Sequence, residues 1–134
     1  MKLSFSGIFL MLVFTVTLAD EPSSKDESWT SKRGLFVVSY ESELEPLQIN
    51  QLHSWVLHLE NSQGVPITGA KIEVDGGMPK HDHGLATSPR VTAAPGQGDY
   101  RLDGLRFHMH GDWELLLTIV ADGKTDSVVV TVTL

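Results

Sequence analysis

The feature that most restricts the fold of this chain is a series of short β-type segments separated by turn-forming residues. Residues 113–121 and 127–134 are apolar and rich in β-branched side chains, and the Asp122-Gly123-Lys124 turn between them predicts a hairpin. In residues 70–75 apolar and polar side chains alternate with the period of a half-buried strand. Because no stretch of useful length has the period of a helix, we expect an all-β protein.

Further segments of the same kind bring the predicted number of strands to about seven. They are residues 35–40, 47–59, 88–94 and 99–102, followed by an alternating set at Leu105, Phe107 and Met109. In the 47–59 segment, Leu52, Val56 and Leu59 are predicted to face the core. Because Trp55 and Leu57 lie on the face opposite Val56, either both faces of the strand are partly covered or a bulge shifts its register. This pattern predicts an immunoglobulin-like β-sandwich, without a disulfide because the chain has no cysteine.

The first 19 residues have the pattern of an export signal. Lys2 precedes an apolar run, and Thr17-Leu18-Ala19 resembles a small-x-small cleavage site. A membrane-spanning helix needs roughly 20 apolar residues, so we favour a cleaved signal peptide over an N-terminal anchor. We therefore predict a signal peptide or anchor in 1–19, a flexible polar leader in 20–33 and one β-sandwich domain in 34–134. The location is then periplasmic or secreted, or membrane-anchored and facing the periplasm if the segment is retained.

The charge of the chain restricts its partners. A formal net charge of −7 repels nucleic acids and anionic lipid surfaces, so we expect no nucleic-acid binding and membrane contact only through an uncleaved N-terminal segment. The sequence contains no glycine-rich phosphate loop and no nucleophile elbow. We therefore expect a protein that is not an enzyme.

Two short segments concentrate histidine and methionine. Residues 78–84 and 106–113 hold four of the six histidines and both methionines that lie outside the N-terminal apolar run. Imidazole and thioether groups suit copper. In extended backbone His81 and His83 project to one side, where both imidazoles can reach one ion. The candidate ligands of a copper ion are His81, His83, His108, Met78, Met109 and His110.

In the second of these segments, the alternation of side chains along a strand predicts opposite directions for His108 and Met109. Met109 has the phase of the apolar residues before it, which predicts that it lies in the core and that His108 points the other way. Only a bulge or a turn before Gly111 brings both side chains to one metal ion. The same rule places His53 and His58 on opposite faces of their strand, and we interpret both as structural or surface histidines.

The chain also resembles a known family through several motifs in a fixed order. They are Gly69-Ala70 before a strand, Met78-Pro79-x-His81-x-His83-Gly84, Gly98-x-Tyr100 and Phe107-His108-Met109-x-Gly111-x-Trp113-Glu114-Leu115. Over residues 34–134 this combination resembles the YtkA-like or FixH-like domains of exported bacterial proteins. The resemblance implies a small immunoglobulin-like sandwich in the periplasm or cell envelope, in a family often associated with copper handling. It points to Met78, His81, His83, His108 and Met109, while His110 stands where relatives often have proline.

Two functions remain open at this point, beside a weaker third, a carrier of a small ligand, which no convergent set of polar residues supports. The first is copper binding through the two histidine- and methionine-containing segments, for carriage or buffering of the metal ion. The alternative is an interaction module without metal, in which the segments only close one end of the sandwich and the partner is another envelope protein. The separation of His81 and His83 from His108 and Met109 distinguishes the two hypotheses, because ligands of one ion must lie close together.

Overall fold

Antiparallel strands make up most of residues 27–134, the part of the chain that a computed structural model describes. They are β1 (Trp29–Thr30), β2 (Phe36–Ser42), β3 (His53–Asn61), β4 (Lys71–Met78), β5 (His83–Gly84), β6 (Arg90–Gly96), β7 (Asp99–Leu105), β8 (Asp112–Ala121) and β9 (Lys124–Thr133). One 3-10 turn, Pro79–His81, joins β4 to β5. No helix in this range is long and apolar enough to span a membrane. The predicted signal peptide lies outside the described residues.

The strands form two sheets that enclose one apolar core. The first sheet has the order β1-β2-β3-β7-β6, and the second has the order β5-β4-β8-β9. The largest side chains that are fully buried between them are Trp55, Trp113, Tyr100 and Phe107. Of the nine strands in residues 27–134, seven have seven or more residues. The predicted all-β sandwich of about seven strands is therefore confirmed.

The core-facing side of β3 differs from the predicted one. Leu52 precedes the strand and is 68% exposed, and Val56 is only half-buried, so the prediction that these two face the core is wrong. Leu59 was predicted correctly. The larger side chains of the opposite phase bury more apolar area, and this outweighs Leu52 and Val56. The buried residues are His53, Trp55, Leu57 and Leu59.

The end of the predicted flexible leader belongs to the folded domain. Trp29–Thr30 pairs with β2, and the buried Ser31 hydroxyl donates a hydrogen bond of 2.7 Å to Asp126. Burial alone would raise the pKa of Asp126. Hydrogen bonds from Ser31 and from the backbone N–H groups of Ser127 and Arg33 outweigh that effect and lower this pKa. Residues 29–33 are thus part of the sandwich rather than of a flexible leader, and residues 20–26 lie outside the described range.

Two strand ends differ from the predicted ones, and both position the candidate site. β4 continues through Gly76 and Gly77 to Met78. β7 ends at Leu105, so residues 106–111 form a loop that carries the chain from the five-stranded sheet to the four-stranded sheet. The prediction that the alternating strand reaches Met109 is therefore wrong, although Leu105 is buried as expected.

Candidate metal centre

The first candidate segment is a tight return at the end of β4. Met78 pairs with His83 and Gly77 pairs with Gly84, so β5 runs back alongside the end of β4. Asp82 makes the reversal with a φ of 54°. A Cβ atom on Gly77 would overlap the carbonyl oxygen of His83, so glycine is required for this close pairing. His83 is thereby held beside the last residues of β4.

An ion pair joins this return to the start of β8. The Lys80 ammonium lies 2.7 Å from the Asp112 carboxylate, which also accepts a hydrogen bond of 2.9 Å from the Thr133 hydroxyl. The hydrogen bond from Lys80 is the main cause of the lowered pKa of Asp112, and the hydrogen bond from Thr133 adds to it. Because both charged side chains are exposed, the pair orients the turn more than it stabilises the domain.

The second candidate segment is the 106–111 loop, and backbone contacts hold it in a bent conformation. The indole Nε1–H of Trp113 donates to the carbonyl oxygen of Met109 at 3.0 Å. Gly111 and Leu134 exchange two backbone hydrogen bonds of 3.0 and 3.1 Å. Gly111 has a φ of +131°, a conformation that favours glycine. The bend that the alternation rule required before Gly111 is therefore present.

Three imidazoles from the two segments lie next to one another. The ring centroids of His83 and His108 are 5.9 Å apart at an interplanar angle of 68°, and those of His81 and His83 are 6.1 Å apart and nearly parallel. His81 and His83 are exposed. His108 is half-buried, with its ring centroid 5.1 Å from that of Trp113. Its Nδ1 atom is buried without a hydrogen-bond partner among the described residues.

The other three candidate ligands have different surroundings. Met78 is buried in the core, and its Cε atom lies 2.7 Å from where a Cβ atom on Gly111 would be. Met109 is partly buried and packs against the core. His110 is exposed, and its ring joins none of the imidazole contacts among residues 27–134. The fold therefore brings together His81, His83 and His108.

The spacing of the imidazoles can be compared with that of metal ligands. Two imidazoles that bind one ion through nitrogens at roughly 2.0–2.1 Å have ring centroids about 5–6 Å apart. The His83–His108 spacing lies in this range. In residues 27–134, however, no three histidine, aspartate or glutamate side chains are placed so that they could hold a metal ion together. The imidazoles form neighbouring pairs rather than a complete ligand set.

A family comparison covers both candidate segments. The sequence profile of the YtkA-like family matches residues 36–118, from the first residue of β2 into β8. This chain belongs to the YtkA-like family. No curated protein and no solved structure matches it. The YtkA-like resemblance is therefore confirmed, while the FixH-like one stays a prediction.

A second titratable cluster of this YtkA-like domain lies on the outer face of the five-stranded sheet. The His58 Nδ1 atom is 2.6 Å from the Asp99 carboxylate, and its Nε2 atom is 3.1 Å from Glu60. The hydrogen bond to Asp99 is the main cause of a raised His58 pKa; desolvation opposes it and Glu60 adds to it. Alternation alone places His58 and Glu60 on one face. Asp99 comes from β7, so the cluster was not evident from the sequence.

We expect the Asp99→Asn variant to lower the His58 pKa, because it removes the main interaction that favours the imidazolium. A raised folded-state pKa means that the stabilisation is complete below the unfolded value of about 6.5 and is lost as the pH rises through the folded value. His58 is about one-third exposed, so this stabilisation is below about 1 kcal/mol. Histidine proton resonances followed against pH measure the shift, and Glu60→Gln should produce a smaller one. An unchanged His58 titration in Asp99→Asn would contradict this assignment.

Proposed function

We propose that this YtkA-like domain is exported to the cell envelope and binds a copper ion between its two histidine-containing segments. His83 and His108 are the principal ligands, and His81 is the third. The observation that carries the proposal is the 5.9 Å spacing of the His83 and His108 rings, which come from β5 and from the loop between β7 and β8. Because the site is open to solvent on its His81 side, it is better suited to carrying or buffering the metal ion than to catalysis.

The donor atoms at this end of the sandwich fit a copper ion. The Nδ1 atom of His108 is buried and unpaired among the described residues, and a buried polar atom without a partner is unfavourable. Met109 follows His108 on the same loop, and its thioether would have to leave its packing against the core to join the imidazoles. Imidazole with thioether suits Cu(I), whereas imidazole with oxygen suits Cu(II). Met78 contributes to the core beneath the site and is not needed as a ligand.

Copper binding requires small movements of exposed side chains. Because no set of three ligands is already placed in residues 27–134, the His81 and His83 imidazoles must rotate toward His108. Both side chains are exposed, so they lose little packing when they rotate. His108 is held by its contact with Trp113 and therefore serves as the fixed ligand.

Calorimetric titration of the chain with Cu(I) and with Cu(II) tests the proposal. We expect His83→Ala and His108→Ala each to weaken binding at least tenfold, since even the loss of a group that only orients a ligand costs about 10–100-fold in affinity. His110→Ala is the matched control, because it removes an exposed imidazole of the same loop that lies outside the three-ring contact. Equal affinities for the parent and the His83→Ala and His108→Ala variants would remove the copper site.

One observation favours the alternative of an interaction module without metal. Met78 is buried, and the Trp113 indole fixes the Met109 carbonyl, so parts of both segments have a structural role that needs no ion. In that case His83→Ala and His108→Ala leave every metal titration unchanged. Met109→Ala then lowers the free energy of unfolding by about 2 kcal/mol, the lower end of the range for buried methionine, because Met109 is only partly buried.

A further inference from the structure

The outer face of the five-stranded sheet carries a groove that the candidate metal centre does not use. The groove has a volume of about 730 Å³ and is formed mainly by outward-facing side chains of β2, β3 and the start of β7. We call it the sheet groove. Cross-strand pairing arranges its lining in three rows, which are Val37 with Glu60, Ser39 with His58 and Asp99, and Glu41 with Val56.

The lining of the sheet groove is acidic. Glu41, Glu60 and Asp99 bring carboxylates from three different strands, and of the described residues that line the groove none is lysine or arginine. The guanidinium of Arg101, which lies on β7 opposite Val56, is engaged elsewhere, since it pairs with Glu43 and Asp103. The groove therefore attracts a positively charged group from outside the domain.

His58 holds two of these carboxylates in place. Its Nδ1 atom lies 2.6 Å from Oδ1 of Asp99, and its Nε2 atom lies 3.1 Å from Oε1 of Glu60. Each contact engages one carboxylate oxygen, so the second oxygen of each group remains able to accept a hydrogen bond from a bound cation. Groups that are already positioned cost less ordering free energy when a ligand binds them.

The groove also has an apolar part and a length that suits extended backbone. Val37 and Val56 are half-buried although they face outward. Glu60 and Val56 are four residues apart on β3, which corresponds to about 13 Å in a strand. Side chains i, i+2 and i+4 of an extended segment lie on one side of its backbone and span the same length.

We propose that the sheet groove docks an extended segment of a partner protein with basic side chains at positions i and i+4 and an apolar side chain at i+2. One basic side chain pairs with Glu60 and Asp99, the other pairs with Glu41, and the apolar one covers the two valines. Charge complementarity selects the partner and its orientation, and the apolar contact adds to the affinity. This interaction is separate from copper binding, because none of the three clustered imidazoles lines the groove.

A nuclear magnetic resonance titration of the isotope-labelled chain, without added metal, tests the docking surface. The probe is a capped five-residue peptide with lysine at both ends, valine in the middle and serine at the other two positions. We expect the backbone amide signals of Ser39, His58 and Asp99 to shift, and that of Thr118 on the other sheet to stay. The same peptide with glutamate in place of lysine should shift none of them.

The Glu60→Gln/Asp99→Asn double variant should bind the lysine peptide about five- to tenfold more weakly, the loss expected for two partly exposed ion pairs. At about pH 5.5, below the ordinary histidine pKa of about 6.5, His58 carries its proton in the parent and in the variant, so the carboxylates alone differ. Glu73→Gln/Glu114→Gln is the matched control, because it changes the net charge equally on the exposed face of the other sheet. Equal weakening in both double variants would overturn the sheet groove as the docking surface.

A blocking variant keeps the test decisive if the double variant perturbs the fold, as judged by near-ultraviolet circular dichroism. Ser39→Lys places a lysine of the chain itself opposite His58 inside the groove, so it should abolish binding of the peptide. Thr118→Lys adds the same charge on the outer face of β8 and should bind as the parent does. Binding by Ser39→Lys that equals binding by the parent would overturn the proposal.

A parallel titration with spermidine separates a peptide from a small organic cation. The peptide should bind with the dependence on Glu60 and Asp99 described above. Spermidine binding that depends on both carboxylates, together with no binding of the lysine peptide, would overturn the extended segment as the occupant. Because every titration is made without metal, a failed copper titration leaves the result unchanged.

Discussion

The Gly77→Ala variant is expected to detach β5 from β4 and to move His83 away from His108. The added Cβ atom would overlap backbone atoms of His83, and a backbone group cannot be relieved by a side-chain rotation. Overpacking of this kind costs about 1–3 kcal/mol, and occasionally more. Because β5 has only two residues, we expect the return to separate while the rest of the sandwich stays folded.

Two measurements check this prediction. The Leu85 backbone N–H donates to the Gly76 carbonyl at 3.1 Å, so its amide should exchange with solvent much faster in Gly77→Ala than in the parent chain. If copper binds as proposed, its affinity should fall in the same variant although every imidazole is still present. Gly84→Ala is the matched control, because a Cβ atom there meets nothing closer than 3.9 Å. If Gly77→Ala and Gly84→Ala behave alike, the close pairing of β4 with β5 is not what holds His83.

The Trp113→Ala variant is expected to lower the free energy of unfolding by about 3–5 kcal/mol, the range for removing a fully buried aromatic side chain. Trp113 has no exposed area, and its ring contacts Phe107 in the core and His108 in the candidate site. Its indole N–H also holds the carbonyl of Met109. The substitution therefore leaves a cavity, an unpaired carbonyl group and a loop that has lost its anchor.

Denaturant unfolding followed by circular dichroism measures this loss. Trp29→Ala provides the comparison, because Trp29 is only partly buried and its removal should reduce stability by less than half as much. Trp113→Phe should recover most of the lost stability while the hydrogen bond to Met109 stays absent. A loss below about 1 kcal/mol in Trp113→Ala would mean that this end of the sandwich repacks around the cavity and that the Trp113 ring does not hold it together.

The local sequence pattern was sufficient to predict those strands and turns in which burial follows directly from the alternation of apolar and polar residues. In β4 the side chain of Ile72 is buried as predicted, and the hairpin of β8 and β9 turns at Asp122 and Gly123 as the turn residues indicated. These features arise from backbone geometry and from the two faces of a strand, which neighbouring residues alone determine. The two histidine-containing segments were likewise recognisable from residue type and spacing.

The local sequence pattern gave a wrong prediction where a segment was compatible with two different arrangements in the fold. In β3 both phases contain apolar side chains, and only the opposite sheet determines which of them lies inside. Trp29 lies in a polar stretch that predicts disorder, yet it pairs with β2 and its indole donates to Thr131. In residues 106–111 the alternation continued in the sequence, although the chain there must cross from one sheet to the other.

The sequence by itself determined that the chain is all-β, that its strands alternate around a core without disulfides, and which side chains are candidates for a metal site. Only the tertiary structure decided that His83 meets His108, that Met78 lies in the core and that His110 stays apart. The physical reason is that alternation specifies the face of a strand, whereas a contact between residues 25 positions apart depends on how two loops fold back. Here the close pairing at Gly77 and the bend at Gly111 set that contact.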